Sequence, residues 1–163
     1  MKILLIVYHS RTGGTEQLAK AAAEAALTEH SVETRLVWAA DATAEEVLNA
    51  DGYIFACPEN LAAMSGLMKE FFDRTYYAVL DRVQGRPYAL MVCGGSDGEG
   101  AVRQMVRIAA GWRLKAVAEP VVVCTHAQTP AAIAARKTIG AEDLARCAEL
   151  GAAMAAGVAM GVF

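Results

Sequence analysis

Short uninterrupted apolar runs alternate along this chain with longer segments of helical period. Ile3 to Tyr8 is a continuous apolar run, the pattern of a strand buried on both faces of a parallel sheet. Thr15 to about Glu29 is rich in Ala, Leu, Glu, Gln and Lys, all good helix formers, and predicts the first helix. Val32 to Trp38 alternates as a second strand, Thr43 to Asn49 suits a short helix, and Tyr53 to Cys57 reads as a third strand. Ser65 to about Leu80 predicts a helix with Leu67, Met68, Phe71, Phe72 and Thr75 near its inward face. A fourth strand over Tyr88 to Cys93, a helix from about Glu99 to Leu114 and a fifth strand over Ala116 to Cys124 follow. His126 to Thr138 carries Pro130 and little periodicity, so it reads mostly as loop. An Ala-rich helix over Ala141 to Ala159 closes the pattern.

No repeat, linker or low-complexity segment interrupts this alternation, which predicts one α/β domain over residues 1–163. Strand-helix-strand units of this kind build a parallel sheet with helices on both faces, and five strands fit the doubly wound order 2-1-3-4-5. Ligands of such sheets bind beyond the carboxyl ends of the strands, near the switch in strand order. The loops after strands one, three and four are therefore where chemistry is expected.

Composition narrows the class. Of 163 residues, 55% are hydrophobic and 20% charged, enough to bury a core and too few charges for disorder. A net charge of −3 leaves no basic footprint for nucleic acid. No stretch of about 18 strongly apolar residues predicts a membrane span. Met1 to Tyr8 is too short, and lacks the small-residue cleavage site, for a secretory signal. Cys57, Cys93, Cys124 and Cys147 are widely spaced with no C-x-x-C pair, against a disulfide framework or zinc site and in favour of a cytoplasmic location.

The loop after strand one reads Ser10-Arg11-Thr12-Gly13-Gly14-Thr15 and opens into a helix. Hydroxyls at 10, 12 and 15, amides freed by two glycines and a helix N-terminus can surround a phosphate. A lone helix cap needs one hydroxyl, not three with two glycines. The loop is neither a Walker A motif nor G-x-G-x-x-G, which disfavours nucleoside triphosphates and dinucleotides as its ligand. Instead it resembles the S/T-x-T-G-x-T phosphate loop of flavodoxins and related FMN proteins at every fixed position. That resemblance implies that Ser10 to Thr15 hold the 5′-phosphate of FMN.

After strand three come Cys57-Pro58-Glu59-Asn60-Leu61-Ala62-Ala63-Met64-Ser65-Gly66 and then Leu67 to Arg74. The run is similar to the P-x-x-x-x-x-M-S-G-x-x-K-x-F-x-D-R segment of the NADPH-dependent FMN reductase and quinone reductase group. The implied fold is a flavodoxin-like three-layer sandwich with non-covalently bound FMN. Pro58 fixes the chain's exit from the strand, and backbone groups of Glu59 to Met64, the Asn60 amide and Ser65 can meet the polar edge of a flavin ring. Many relatives carry an aromatic here that lies against the flavin; positions 59 to 64 have none, leaving Leu61 or Met64 as the apolar contact. Asp73 and Arg74, adjacent on a helix, do not face one another and read as a surface charge pair or, by analogy with the family, a subunit contact. Phe71, Phe72, Tyr76 and Tyr77 read as core or interface packing. Since they cannot all face one core, some point outward, and a homo-oligomer (dimer or tetramer) is the outlet.

The loop after strand four, Cys93-Gly94-Gly95-Ser96-Asp97-Gly98-Glu99-Gly100, has four glycines in eight residues. It corresponds to the family's cover over the flavin ring: the glycines let backbone amides approach and Ser96 offers a hydroxyl. The competing reading is a flexible turn with Asp97 as a helix cap. His9 sits at a strand end and is expected to pack there. His30 is expected in solvent, and His126 near the rim of the site.

Three functions compete. The first is an NAD(P)H-dependent reductase passing electrons through FMN to a quinone or another small acceptor. The second is a flavodoxin-type carrier docking to redox proteins, which fits poorly with a charge of only −3 and with Arg74, Arg82, Arg103, Arg107 and Arg113 on the helices. A flavin-less interaction module on the same fold is the third. A cysteine phosphatase is excluded, because C-x5-R would need Arg at 63, 99 or 130, which are Ala, Glu and Pro.

Overall fold

The computed structural model describes residues 1–163. Its strands are β1 (Lys2–Tyr8), β2 (Val32–Trp38), β3 (Gly52–Asn60), β4 (Ala63–Met64), β5 (Pro87–Gly94), β6 (Lys115–Ala116) and β7 (Val121–Cys124). The helices are α1 (Gly14–Ala26), α2 (Ala44–Asn49), α3 (Gly66–Val79), α4 (Glu99–Gly111), α5 (Pro130–Ala134) and α6 (Ala141–Met160). All pairings in the main sheet are parallel, in the order β2-β1-β3-β5, with β6 and then β7 completing the far edge beside β5. With β6 and β7 taken as one broken strand, this is the expected 2-1-3-4-5 order.

The fifth strand differs from the expected continuous run over Ala116 to Cys124. Pro120 has no N–H to give the ladder and restricts the residue before it, so pairing stops at Ala116 and resumes at Val121. The third strand runs past Cys57 to Asn60, then folds back on itself: Glu59 pairs with Met64 and Asn60 with Ala63 in an antiparallel hairpin. The segment 126–138, expected mostly as loop, contains α5. Thr129 caps it by accepting from the Ala132 N–H at 3.1 Å, and Pro130 occupies its first turn.

Alternating faces of the central strands feed two cores. Tyr53, Phe55 and Cys57 of β3 face α3 and α4, where Met68, Phe71, Phe72 and Trp112 are fully buried. Ile54 and Ala56 face α1 and α6, where Leu18, Ala19, Ala22, Cys147 and Met154 pack. Small residues bring those two helices together; a Cβ on Gly151 would lie 2.0 Å from the Ala22 carbonyl oxygen. Leu67, expected inward, is 39% exposed, because the inward stripe of α3 runs through Met68, Phe71, Phe72, Thr75 and Val79. Of the paired aromatics Tyr77 does point outward, at 83% exposure.

Asp73 and Arg74 do not pair with each other. Lys69 bonds Asp73 at 2.6 Å and Arg74 bonds Glu70 at 3.0 Å, both one helical turn apart. The Arg74 guanidinium also donates to the carbonyls of Ala39 and Ala42, tying the loop after β2 to α3.

Candidate functional site

At the carboxyl ends of β1, β3 and β5 one cleft is lined by Ser10, Arg11, Thr12, Gly14, Thr15, Pro58, Glu59, Asn60, Cys93, Gly94 and Gly95. All three loops singled out in the sequence thus converge. Gly13 stands behind the cleft as the residue preceding α1, at φ 88°, a left-handed conformation that suits glycine. Its N–H donates to Ser10 Oγ at 3.1 Å, which folds the loop around its own amides. A side chain at Gly14 would lie 2.7 Å from Cys93 Sγ, so glycine lets the loop rest on β5.

Thr15 is 1% exposed, and its Oγ1 is buried with no hydrogen-bond partner. Native proteins satisfy nearly all such groups, so the Thr15 hydroxyl is free to bond a ligand oxygen. The helix amides beside it lack intrahelical partners as well. The donor set therefore fits a phosphomonoester: hydroxyls, free amides and a helix dipole.

The other expected residues are dispersed. Leu61 lies at the hairpin tip, fully exposed, with Ala62 beside it; both take left-handed backbone angles, φ 51° and 62°. Met64 and Gly100 line a neighbouring groove rather than the cleft. Ser65 is buried and bonded to His9 Nδ1 at 2.7 Å. Gly98 is buried against Val122 and Val92, and Ser96 is exposed. Within this loop Asp97 Oδ1 accepts from the N–H groups of Gly98 and Glu99, at 2.7 and 3.0 Å. Those bonds hold its carboxyl below the usual range, the Glu99 N–H contributing most. Gly94 is essential to the turn, since its Cβ would lie 1.8 Å from the Asp97 carbonyl oxygen.

The hairpin is fastened to α4. Glu59 Oε2 accepts from the Ala101 N–H at 3.2 Å, and Gln104 Oε1 accepts from the Met64 N–H at 2.8 Å. His9 packs edge-on against Trp38, with ring centroids 5.1 Å apart, as expected of a strand-end residue. His30 is exposed, and His126 lines a neighbouring depression that shares Thr125, Ala127 and Lys137 with the cleft. Burial pushes the Cys57 thiol up to about 12 and the Cys93 thiol up to about 11, so neither is a thiolate nucleophile at neutral pH.

Four cleft residues come from a segment that sequence reasoning left aside: Thr125, Ala127, Ile133 and Lys137. The Lys137 N–H donates to the Thr12 carbonyl at 2.8 Å. Gln17 Nε2 bridges the Gly13 and Lys137 carbonyls at 2.8 Å each, and its Oε1 accepts from the Ile139 N–H at 3.1 Å. Residues 125–139 therefore form a strap over the phosphate loop.

A doubly wound parallel sheet with a hydroxyl- and glycine-rich phosphate loop at its switch point defines a flavodoxin-like protein. The family model of NADPH-dependent FMN reductases matches residues 38–129, more than half of the chain, and the chain belongs to that family of FMN-binding oxidoreductases. It is also 34% identical over 97 residues to a flavodoxin of Aquifex aeolicus, a match spanning 60% of this chain and 52%, about half, of that protein. Among solved structures, an archaeal flavodoxin superposes with TM-score 0.77 at 20% identity, covering 96% of this chain and 98% of that one. The rubredoxin oxygen:oxidoreductase of Desulfovibrio gigas does so with TM-score 0.80 at 16% identity, over 99% of this chain and 37% of its own. These two likenesses bear on the fold. No helix is long and apolar enough to cross a membrane.

Proposed function

We propose that this chain is a reductase that holds FMN in the cleft and passes electrons from NAD(P)H to a quinone or another small acceptor. FMN held there would supply the redox chemistry, and the protein would supply its binding and orientation. The orphaned Thr15 hydroxyl within the Ser10–Thr15 loop is the observation that carries the cofactor assignment. Ser10, Thr12, Thr15 and the first amides of α1 take the phosphate. Pro58 to Asn60 and Cys93 to Gly95 line the cleft where backbone groups would meet the ring, with no catalytic acid–base pair needed. No aromatic residue lines the cleft, which leaves room for a small substrate to reach a flavin held there.

A groove of about 600 Å3 adjoins the hairpin, within the usual size range for small-molecule sites. Lys69, Arg103, Gln104 and Arg107 line it, and their positive charge suits the phosphates of a dinucleotide donor. The exposed Tyr77 offers apolar surface for a homo-oligomer, which light scattering tests directly. The second reading, a carrier that docks to redox proteins, is favoured by the likeness to the Aquifex flavodoxin.

An absorbance experiment separates the two. FMN is added to purified protein, the excess is removed, and NADPH is added without oxygen. Retained flavin bands that NADPH bleaches support the reductase. Bands bleached only by a chemical reductant support the carrier, and loss of all flavin refutes the cofactor assignment.

A further inference from the structure

The Ser10–Thr15 loop contains no lysine, but the strap brings one to it. Lys137 Nζ lies 3.2 Å from Thr12 Oγ1 and borders the same cleft as Ser10, Thr12 and Thr15. Its other two bonds go to the carbonyls of Ile133 at 2.7 Å and Ala135 at 2.6 Å, at the carboxyl end of α5. An ammonium has three donors, so Lys137 closes a bridge from α5 to the phosphate loop. The bridge matters to the strap because α5 has no buried residue, leaving polar bonds to hold it down. One carboxylate, Glu59, borders the same cleft, so a cation beside the loop also offsets its repulsion of an anion. Glu59 Oε2 accepts from the Ala101 N–H and is thereby turned partly toward α4, while Glu16 is paired with Lys20 at 2.7 Å and Arg136 at 3.8 Å.

We propose that Lys137 is the charge partner of the phosphomonoester held by the loop, so that the strap belongs to the cofactor site and selects phosphorylated over unphosphorylated flavin. This rests on the FMN reading above. The hydroxyls and amides of the loop offer only dipoles, and Lys137 adds its charge to that of Arg11, which borders the same cleft. The ammonium acts on the phosphate through its charge, or by exchanging its 3.2 Å bond to Thr12 Oγ1 for one to a phosphate oxygen, while its two bonds to α5 stay in place. A flavin without phosphate makes neither contact and gains nothing from Lys137.

The test is a set of flavin-fluorescence titrations of wild type, K137M, K137Q and K137R with FMN and with riboflavin at low and high salt. At low salt K137M and K137Q weaken FMN about tenfold or more, leave riboflavin unchanged, and narrow their gap to wild type as salt rises. K137R stays within about threefold of wild type. Unchanged FMN affinity in both uncharged variants overturns the proposal. So does equal weakening of FMN and riboflavin, since that is the mark of a merely structural residue. If K137M does not fold, K137Q against K137R decides the question in the same way. Inorganic phosphate, titrated by calorimetry, separates the two claims. Wild type that binds phosphate but neither flavin, with phosphate binding lost in K137Q, refutes the FMN reading and supports the Lys137 assignment. No binding of phosphate or either flavin overturns both.

Discussion

Thr15 makes the cofactor assignment testable without turnover. Its hydroxyl is buried without a partner, a condition that costs about 1–3 kcal/mol in the free protein. Replacing it by Val keeps the branched shape and removes the orphan, so Thr15→Val stabilises the ligand-free chain by about 1–2 kcal/mol. At this chain length each kcal/mol moves Tm by about 2–4 °C, so the rise is about 4 °C. With FMN that gain is largely cancelled, because the variant has lost a bond to a charged oxygen worth about 1.5–3 kcal/mol, at least a tenfold loss of affinity. At 100 times the wild-type Kd, FMN stabilises wild type by about 2.7 kcal/mol but the variant by about 1.4. Thermal melts with and without FMN read both effects on one sample. Thr34 Oγ1, on β2, is the other buried orphan and provides the control. Thr34→Val should stabilise the free chain and leave FMN affinity untouched. A Thr15→Val chain that is less stable when free, or that binds FMN as tightly as wild type, refutes the reasoning.

The hairpin tip carries the strain of two left-handed residues without glycine, at a cost of about 1–2 kcal/mol each. Changing Leu61→Asn with Ala62→Gly supplies the residues such a turn prefers. After the extra chain entropy of glycine, this should raise stability in urea melts by about 1 kcal/mol. A loss of stability would mean that the Leu61 and Ala62 side chains make contacts that matter. His9 sets a pH dependence: burial first, and the Arg11 charge second, lower its pKa from 6.5. The unfolded chain then binds more protons than the folded one, so stability is full above about pH 6.5 and falls as pH drops below it. His9→Gln should flatten that part of a Tm-against-pH curve, and an unchanged slope would remove His9 as its source.

Legibility in the sequence followed the range of the interactions. β1, β2, α1 and α6 were readable because a run or period of neighbouring residues dictates which face is buried. The phosphate loop was readable because its whole cradle lies within six consecutive residues. The β3–β4 hairpin was not. Leu61 and Ala62 are poor residues for its turn, and what holds it is a pair of bonds from Glu59 and Met64 to residues of α4, about 40 positions away. Pro120 was visible, but the apolar residues flanking it masked the break it makes. The strap was the largest omission. Thr129-Pro130 is a local helix-start signal, yet nothing near Lys137 reveals that it meets Thr12, 125 positions earlier.

Where the cations sit bears on the choice between enzyme and carrier more than net charge does. A carrier needs its ring edge to face a protein partner, and its charge spread over that face steers docking. Here Arg103 and Arg107 stand one turn apart on α4, beside the hairpin, and line a groove with Lys69 and Gln104. Lys137 is turned inward onto the phosphate loop, where it cannot steer anything. Lys69, Arg103 and Arg107 thus border one concave place of small-molecule size, and Arg11 and Lys137 border another. A net charge of −3 measured over the whole surface conceals that arrangement. Concave, locally cationic sites suit phosphorylated small molecules, which supports the proposed dinucleotide donor over docking to a protein surface.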